Sequence, residues 1–527
     1  MMPKRFFPRL LALGGLLTAF AVTVSTTPIA LAAGAVNDAD VVLPGHYATG
    51  ALPMDDSELM AHRWEPSEDA PQPLTYVPSG NADNSRSSAF PPIRDQGSLG
   101  SCVAFSTVYY QFTYAVNRLH GTSAANPANQ FSPKAVYNVY NGGTADSGMN
   151  AYQAYVYLSE HGCLSWEDFP YDADYTALPT DLSQMCEALN TRLADNSYYT
   201  RQLPDAGTPY SDRYDPDLDS LKLQLDMGNI FSVTVPTGRQ GHVTENWVMR
   251  TASNGELALC RVAEGSSSHQ MTVVGYNDNI WCDLNGNGKG DPGELGALKV
   301  ANSWGTDWGN NGYIWILYDT MNQISAVSNW ESGYTGKRVA IFSNSNGNWF
   351  HSIEAEDKEV YFVADVVLNN VTRNNVDVEN IGRRRNTSYA ETALCAGSLT
   401  GTGSYTGHMV FDYEKLCDPI LLYKSNYQWE IGPFPAYSTA FTGNIVDNHG
   451  NLIKACTKSG SKYVAPVNLI KGDVNYDGKI NTTDGSLVLS YATGKREFSN
   501  VQLYLADYDG NGKVDSTDAR LILQAGM

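Results

Sequence analysis

Near its C-terminal end the chain writes one twelve-residue loop twice, and no other stretch restricts local folding as tightly. Asp473-Val474-Asn475-Tyr476-Asp477-Gly478-Lys479-Ile480-Asn481-Thr482-Thr483-Asp484 recurs as Asp507-Tyr508-Asp509-Gly510-Asn511-Gly512-Lys513-Val514-Asp515-Ser516-Thr517-Asp518. Each copy runs into helical periodicity, Leu487 to Ala492 and Ala519 to Gln524. Side-chain oxygens stand at loop positions one, three, five, nine and twelve, glycine stands at six, and position seven offers its carbonyl. Hard oxygen donors in that order around a sharp turn describe a seven-coordinate calcium cage. The first cage would use Asp473, Asn475, Asp477, the Lys479 carbonyl, Asn481 and Asp484. The second would use Asp507, Asp509, Asn511, the Lys513 carbonyl, Asp515 and Asp518. Two calcium ions are therefore expected. A sensing EF-hand pair is the rival, but both loops close on aspartate rather than glutamate and neither has a clear helix leading into it.

A related pattern lies far upstream in Asp283-Leu284-Asn285-Gly286-Asn287-Gly288-Lys289-Gly290-Asp291-Pro292-Gly293-Glu294. Asp283, Asn285, Asn287, Asp291 and Glu294 fall at positions one, three, five, nine and twelve, with Gly288 at six, so a third calcium ion would stiffen this loop. A polar Asn-Gly turn explains much of the same sequence.

The chemistry-bearing stretch is Asp95-Gln96-Gly97-Ser98-Leu99-Gly100-Ser101-Cys102-Val103-Ala104-Phe105-Ser106. Glycines and serines give way at Cys102 to an apolar run, which predicts a thiol in the first turn of a buried helix. Unpaired N–H groups and the positive end of the helix dipole favour thiolate there. A cysteine so placed is also a common core residue, and two remote stretches decide between the readings. Ser268-His269-Gln270-Met271-Thr272-Val273-Val274-Gly275-Tyr276 reads as a strand led by a histidine. Val300-Ala301-Asn302-Ser303-Trp304-Gly305-Thr306-Asp307-Trp308-Gly309-Asn310-Asn311-Gly312-Tyr313 is the other, with Asn302 expected to begin a strand. His242, in a Gly-Arg-Gln-Gly setting, is the competing base and reads as a solvated loop residue.

These three ordered motifs, from about Ser88 to Trp330, resemble the papain family of cysteine peptidases. The resemblance implies a two-lobed α+β peptidase fold with Cys102 as nucleophile, His269 as base, Asn302 orienting the imidazole and Gln96 in the oxyanion hole. Trp304 matches the indole over the Asn–His contact, and Gly148 and Met149 fall where the family's substrate groove pairs with an extended peptide. Attack on an amide requires those roles: nucleophile, proton carrier, oxyanion donor. Two positions depart from the family, Val103 for the usual tryptophan and Leu99 for a frequent disulfide cysteine, and both concern wall packing rather than proton or charge. The helical pro-region common in the family is not recognisable. Residues 34–87 read as a linker or as a short extended pro-segment lying in the cleft.

The duplicated loop–helix pair resembles a type I dockerin, which implies calcium-dependent docking onto a cohesin module of a cellulosome scaffoldin. Thr482 and Thr483 in one copy, Ser516 and Thr517 in the other, correspond to the family's cohesin-recognition positions; helix capping is their plainer role. Between the two families, short alternating runs such as Val339-Ala340-Ile341-Phe342, Val360-Tyr361-Phe362-Val363-Ala364 and His408-Met409-Val410-Phe411 predict an all-β sandwich serving as spacer or packing module.

The expected organisation is a signal peptide at 1–33, the linker or pro-segment at 34–87, the peptidase at 88–335, the sandwich at 338–465 and the dockerin at 468–527. Lys4, Arg5 and Arg9 before the apolar run Leu10 to Val24, with Ala30-Leu31-Ala32 as a cleavage site, carry the secretory expectation, and no later run predicts a membrane span. A formal charge of −21 disfavours nucleic acid. Eight cysteines, one of them the nucleophile, leave seven that cannot all pair with one another. The function expected is a secreted cysteine endopeptidase acting on protein or peptide substrates in or near a scaffold-borne complex or in plant material. The alternative is a catalytically silent, peptide-binding or protease-inhibiting scaffold component.

Overall fold

The computed structural model describes residues 47–55, 77–141, 145–194, 199–203, 216–238, 244–262, 267–321, 327, 343–344, 347–386, 389–399, 401–413, 427–432 and 441–527. The signal-peptide residues, His242 and the run Val339 to Phe342 lie outside them.

The expected helix at Cys102 forms. An α-turn, Cys102–Ala104, passes into a π-helical stretch, Phe105–Phe112, and then into the α-helix Thr113–His120. Every residue from Cys102 to Tyr114 is buried, which is why this helix is apolar all round at its start. It stops at Gly121, whose φ of 65° is the left-handed cap that glycine adopts without steric cost. The helix Pro133–Tyr140, with proline in its first turn, and the helix Ala151–His161, with an Asn150–Gln153 capping box, pack beside it.

The second lobe is a ten-stranded sheet. The histidine strand Ser267–Trp281 sits at its centre, flanked antiparallel by Phe231–Thr237 and Leu295–Ala301. Tyr313–Leu317 continues beyond Leu295–Ala301 and pairs parallel with Leu257–Val262. Phe105, Tyr109 and Tyr110 from the helix meet Val274 and Ala301 of the sheet in one apolar cluster, the seam between the lobes. Ser106 Oγ crosses that seam by donating to the Met271 carbonyl at 2.9 Å.

Two stacked sheets follow. One runs Ser404–Asp412, Phe362–Thr372, Phe441–Asp447, Leu452–Ala455; the other runs Tyr389–Ser398, Asp377–Asn386, Tyr427–Ile431, Lys462–Val467, Thr457–Ser459. The β sandwich expected from alternation is present, but its N-terminal boundary differs from 338. Gly347–Ser352 pairs with Tyr199–Leu203 and touches Phe231–Thr237, and Ala355–Asp357 pairs with Thr191–Leu193, so the strands at 347–352 and 355–357 belong to the preceding lobes. Backbone pairing fixes that boundary, and hydropathy alternation looks the same on either side of it.

The sandwich is welded to the helical lobe. Arg192 and Asp412 form a buried ion pair at 2.7 Å, Tyr405 Oη donates to the Pro179 carbonyl at 2.6 Å, and the apolar residues of both join one continuous core. The C-terminal repeat adds the helices Thr482–Ala492, Asn500–Ala506 and Ser516–Ala525. Asn500–Ala506 leads into the second loop, contrary to the expectation that neither loop has an entering helix. Seven residues capped by Ser499 and Gln502 are too short for a visible period.

Candidate active site

Cys102, His269 and Asn302 come from three elements and are wholly buried. Asn302 does not begin a strand: it follows Leu295–Ala301 directly, and its N–H donates to the Gly312 carbonyl at 2.9 Å. Tyr110 Oη donates to the Asn302 carbonyl at 2.8 Å, tying this turn to the Cys102 helix. His269 Nε2 lies 2.6 Å from Asn302 Oδ1, an atom that also accepts from the Ser303 N–H at 2.7 Å. An amide oxygen fed by one donor already takes its second from Nε2–H, so the imidazole proton resides on Nε2. Nδ1 is then a free lone pair, and it has no hydrogen-bond partner among the described residues. Trp304 stacks on the ring at 4.2 Å between centroids and 27° between planes.

The Cys102 sulfur meets the backbone amide of Gln270, the residue after His269, together with those of Gly50, Val103 and Cys102 itself. These amides stabilise thiolate as the helix-start argument expects, yet burial outweighs them and pushes the thiol up to about 11. Burial likewise drives His269 down to about 4 against the Asn302 hydrogen bond, which favours the charged ring. In this state the pair is thiol and neutral imidazole.

Gln96 projects its amide at the same place. Nε2 donates to the Leu99 carbonyl at 2.8 Å and to the Ala48 carbonyl at 3.3 Å, while Oε1 accepts from Ser303 Oγ at 2.5 Å. Ser303 thereby fixes which end of the amide faces inward. Sequence reading gave Ser303 no role, although its place between Asn302 and Trp304 was a signal.

The cleft is filled by the chain itself. Tyr47 stacks on Trp304 at 4.6 Å, Trp304 Nε1 donates to the Ala48 carbonyl at 3.1 Å, and the Gly50 amide faces the sulfur. Ala51 then forms a parallel bridge with Met149: Met149 N–H donates to Gly50 O at 3.1 Å and Leu52 N–H to Met149 O at 3.0 Å. Met149 therefore pairs with residues 50–52 of the chain itself, and Gly148 lies against Gly50 beside it. Gly148 has φ +76°, and a Cβ there would lie 2.3 Å from the Gly50 carbonyl oxygen.

The twelve-residue loops share one wiring. The carboxylate at position twelve accepts from the N–H groups of positions two, three and nine: Asp484 from Val474, Asn475 and Asn481, Asp518 from Tyr508, Asp509 and Asp515. Asp507, Asp509 and Asp518 bring carboxylate oxygens within 4.8 Å of one another. Asp473 is held above the usual carboxylate range by burial and by Asp484 and Asp477, a repulsion that a divalent cation relieves. This donor set of clustered hard oxygens, with the position-twelve carboxylates Asp484 and Asp518 buried, fits calcium. Glu294 repeats the wiring in the upstream loop, accepting from Leu284, Asn285 and Asp291. Thr482, Thr483, Ser516 and Thr517 are exposed at the heads of their helices.

A family model described as papain family cysteine protease matches residues 79–332, and one described as type I dockerin domain matches residues 471–525. Cathepsin K of Gallus gallus is 26% identical over 274 residues, covering 50% of this chain and 67% of that protein. Among solved structures, xylellain, a cysteine protease from Xylella fastidiosa, is 18% identical with a TM-score of 0.37, covering 60% of this chain and 99% of its own. Recombinant stem bromelain precursor is 17% identical with a TM-score of 0.35, covering 59% and 78%. Residues 79–332 are thus a papain-family cysteine protease domain, and residues 471–525 are a type I dockerin domain.

Proposed function

We propose that this protein is a secreted cysteine endopeptidase, working through Cys102, His269, Asn302 and Gln96, stored in a latent form and moored to a scaffoldin cohesin by its calcium-loaded dockerin. The observation that carries the reading is the imidazole: Nε2 is committed to Asn302 at 2.6 Å while Nδ1 stays open, and the backbone of the next residue, Gln270, is the foremost influence favouring the Cys102 thiolate. In the first half-reaction Nδ1 takes the thiol proton as sulfur attacks the substrate carbonyl carbon. The carbonyl oxygen gains the charge and is met by Gln96 Nε2–H and the Cys102 N–H. The C–N bond then breaks, the amine departs with the proton from Nδ1, and a thioester remains. Water gives a proton to Nδ1, adds to the thioester, and the acid leaves as Cys102 regains its hydrogen.

Residues 47–52 support latency because they occupy the machinery out of register. The carbonyl taking the Gln96 donor belongs to Ala48, whereas the amide against the sulfur belongs to Gly50. The carbonyl at the donor and the amide nearest the thiol thus belong to different peptide groups, and the segment covers the site. At the dockerin, bound calcium neutralises the carboxylates of loops 473–484 and 507–518 and holds the helix heads that carry Thr482, Thr483, Ser516 and Thr517. Loop 283–294 would take a third ion and brace the connection between His269 and Asn302.

Hydrolysis of a diverse peptide library tests the enzymatic part. Cys102→Ala should abolish cleavage, and Gln96→Ala should lower kcat/KM about a hundred- to a thousandfold in a folded protein. Cleavage surviving in Cys102→Ala refutes the assignment, and a wild type that neither cleaves nor is alkylated at Cys102 favours a silent peptide-binding module.

A further inference from the structure

The sandwich reaches into the peptidase at Arg373, and this contact leads to the substrate groove. Arg373 lies in the short 3₁₀ turn Arg373–Asn375 and is only 2% exposed. Its Nη2 donates to the carbonyls of Asn138 and Val139, the latter at 3.1 Å. Those carbonyls belong to the last turn of the helix Pro133–Tyr140, where backbone acceptors lack intrahelical donors and the dipole favours a cation. Nε and Nη1 find no partner among the described residues, so these two carbonyls are what hold the buried charge.

Immediately before these two residues on the same helix, Tyr137 Oη donates to Asp146 Oδ1 and accepts from the Gly148 N–H at 3.4 Å. Asp146 in turn accepts from the Gly100 N–H at 2.9 and 3.0 Å. Gly100 stands two residues before Cys102, and Gly148 precedes the residue that pairs with the peptide in the cleft. Leu99 leaves this wall without the cysteine that would cross-link it, and Asp146 bridges it by hydrogen bonds.

We propose that Arg373 makes the sandwich part of the groove: by capping the helix Pro133–Tyr140 it holds Tyr137, and through Asp146 it sets the spacing between the Cys102 loop and the Gly148–Met149 wall. It is a positioning residue, and its effect on turnover rests on the peptidase reading above. The test compares full-length Arg373→Met and Arg373→Lys with Asp412→Asn, which weakens another buried contact between the same modules, the ion pair to Arg192 on the strand Thr191–Leu193. Amide exchange at Gly100 and across residues 146–149 should rise about tenfold in Arg373→Met, less in Arg373→Lys, and stay near wild type in Asp412→Asn. KM for a peptide should rise about tenfold in Arg373→Met with kcat changed less than about twofold, as expected when binding geometry is lost and the reacting groups are intact. Should Arg373→Met not fold, Arg373→Lys decides on the same criteria. Unchanged exchange in the Arg373 variants, or an equal rise in Asp412→Asn, overturns the proposal. A wild type without turnover counts against the peptidase reading alone, because the exchange measurement does not depend on cleavage.

Discussion

Adding one methyl group to Gly50 should open the cleft. A Cβ at this position would lie 2.0 Å from the Gly100 carbonyl oxygen and 2.6 Å from Gly100 C and Cα, all of them backbone. Neither side can yield cheaply. Gly100 is pinned by Asp146 and leads directly into the Cys102 helix, and on the far side the Gly50 carbonyl already abuts Gly148. Overpacking a closed site costs about 1–3 kcal/mol, and an overlap of more than an ångström against main chain belongs at the upper end. About 3 kcal/mol shifts the ratio of covered to open cleft roughly a hundredfold. Full-length Gly50→Ala should therefore be alkylated at Cys102 by iodoacetamide about a hundredfold faster than wild type, with peptide hydrolysis rising in parallel. Leu52→Ala is the control: Leu52 is 46% exposed and its truncation removes no backbone bond. A folded Gly50→Ala protein alkylated within about twofold of wild type would refute the idea that this strand is the gate.

Further outcomes follow from the titrating groups and the calcium loops. The covered cleft holds His269 near 4 against an ordinary 6.5, so between those values the open form binds a proton that the covered form refuses. Cover stability should fall by up to about 3 kcal/mol as pH drops through this window, read as falling protection factors, the intrinsic exchange rate over the observed one, at residues 47–52. Cys102, raised from 9.0 to about 11, acts at the other end: the open form ionises first, and the cover weakens above pH 9. The strand should bind tightest between these limits, and protection factors at residues 47–52 that stay constant from pH 7 to 4 contradict the assignment. Chelating calcium should abolish cohesin binding; each loop loses up to about 4 kcal/mol of ligand-linked stability relative to calcium at a thousand times its Kd. For the upstream loop, calcium should raise the peptidase melting temperature in wild type and not in Asp283→Ala, and equal shifts in both would remove the third ion.

Much of this was legible because chemistry constrains both residue type and spacing. Cys102 at the turn into a helix, His269 near the head of a strand and the twelve-residue loops stand where the sequence motifs put them. What stayed hidden is carried by backbone. Tyr47 to Leu52 shows no period, since a strand held by main-chain bonds to Met149 and Ser268 demands only small residues where the walls close in, and a glycine there reads as an ordinary linker. The strands at 347–352 and 355–357 alternate like the sandwich strands but spend their hydrogen bonds on the other lobes. The helix-start argument named the Cys102 and Val103 amides and missed both the larger influence of Gln270 and Gly50 and the burial that outweighs them all, because cover from a remote segment leaves no local mark. Arg373 looks like any loop arginine until the helix end it plugs is visible.

The C-terminal repeat does not hang from the sandwich on a loose tether. Tyr476, inside the first calcium loop, donates its hydroxyl to Asp447 at 2.8 Å, and Asn500 reaches both the Asn448 side chain at 3.0 Å and the Val360 carbonyl at 2.8 Å. A stiff arm of this kind converts the choice of recognition face into a choice of direction. If Thr482 and Thr483 engage the scaffold, the cleft points one way; if Ser516 and Thr517 do, the whole enzyme swings by the half-turn that relates the two repeats. A single mooring point then serves two neighbourhoods, with the cutting edge aimed by the docking geometry rather than by diffusion on a string.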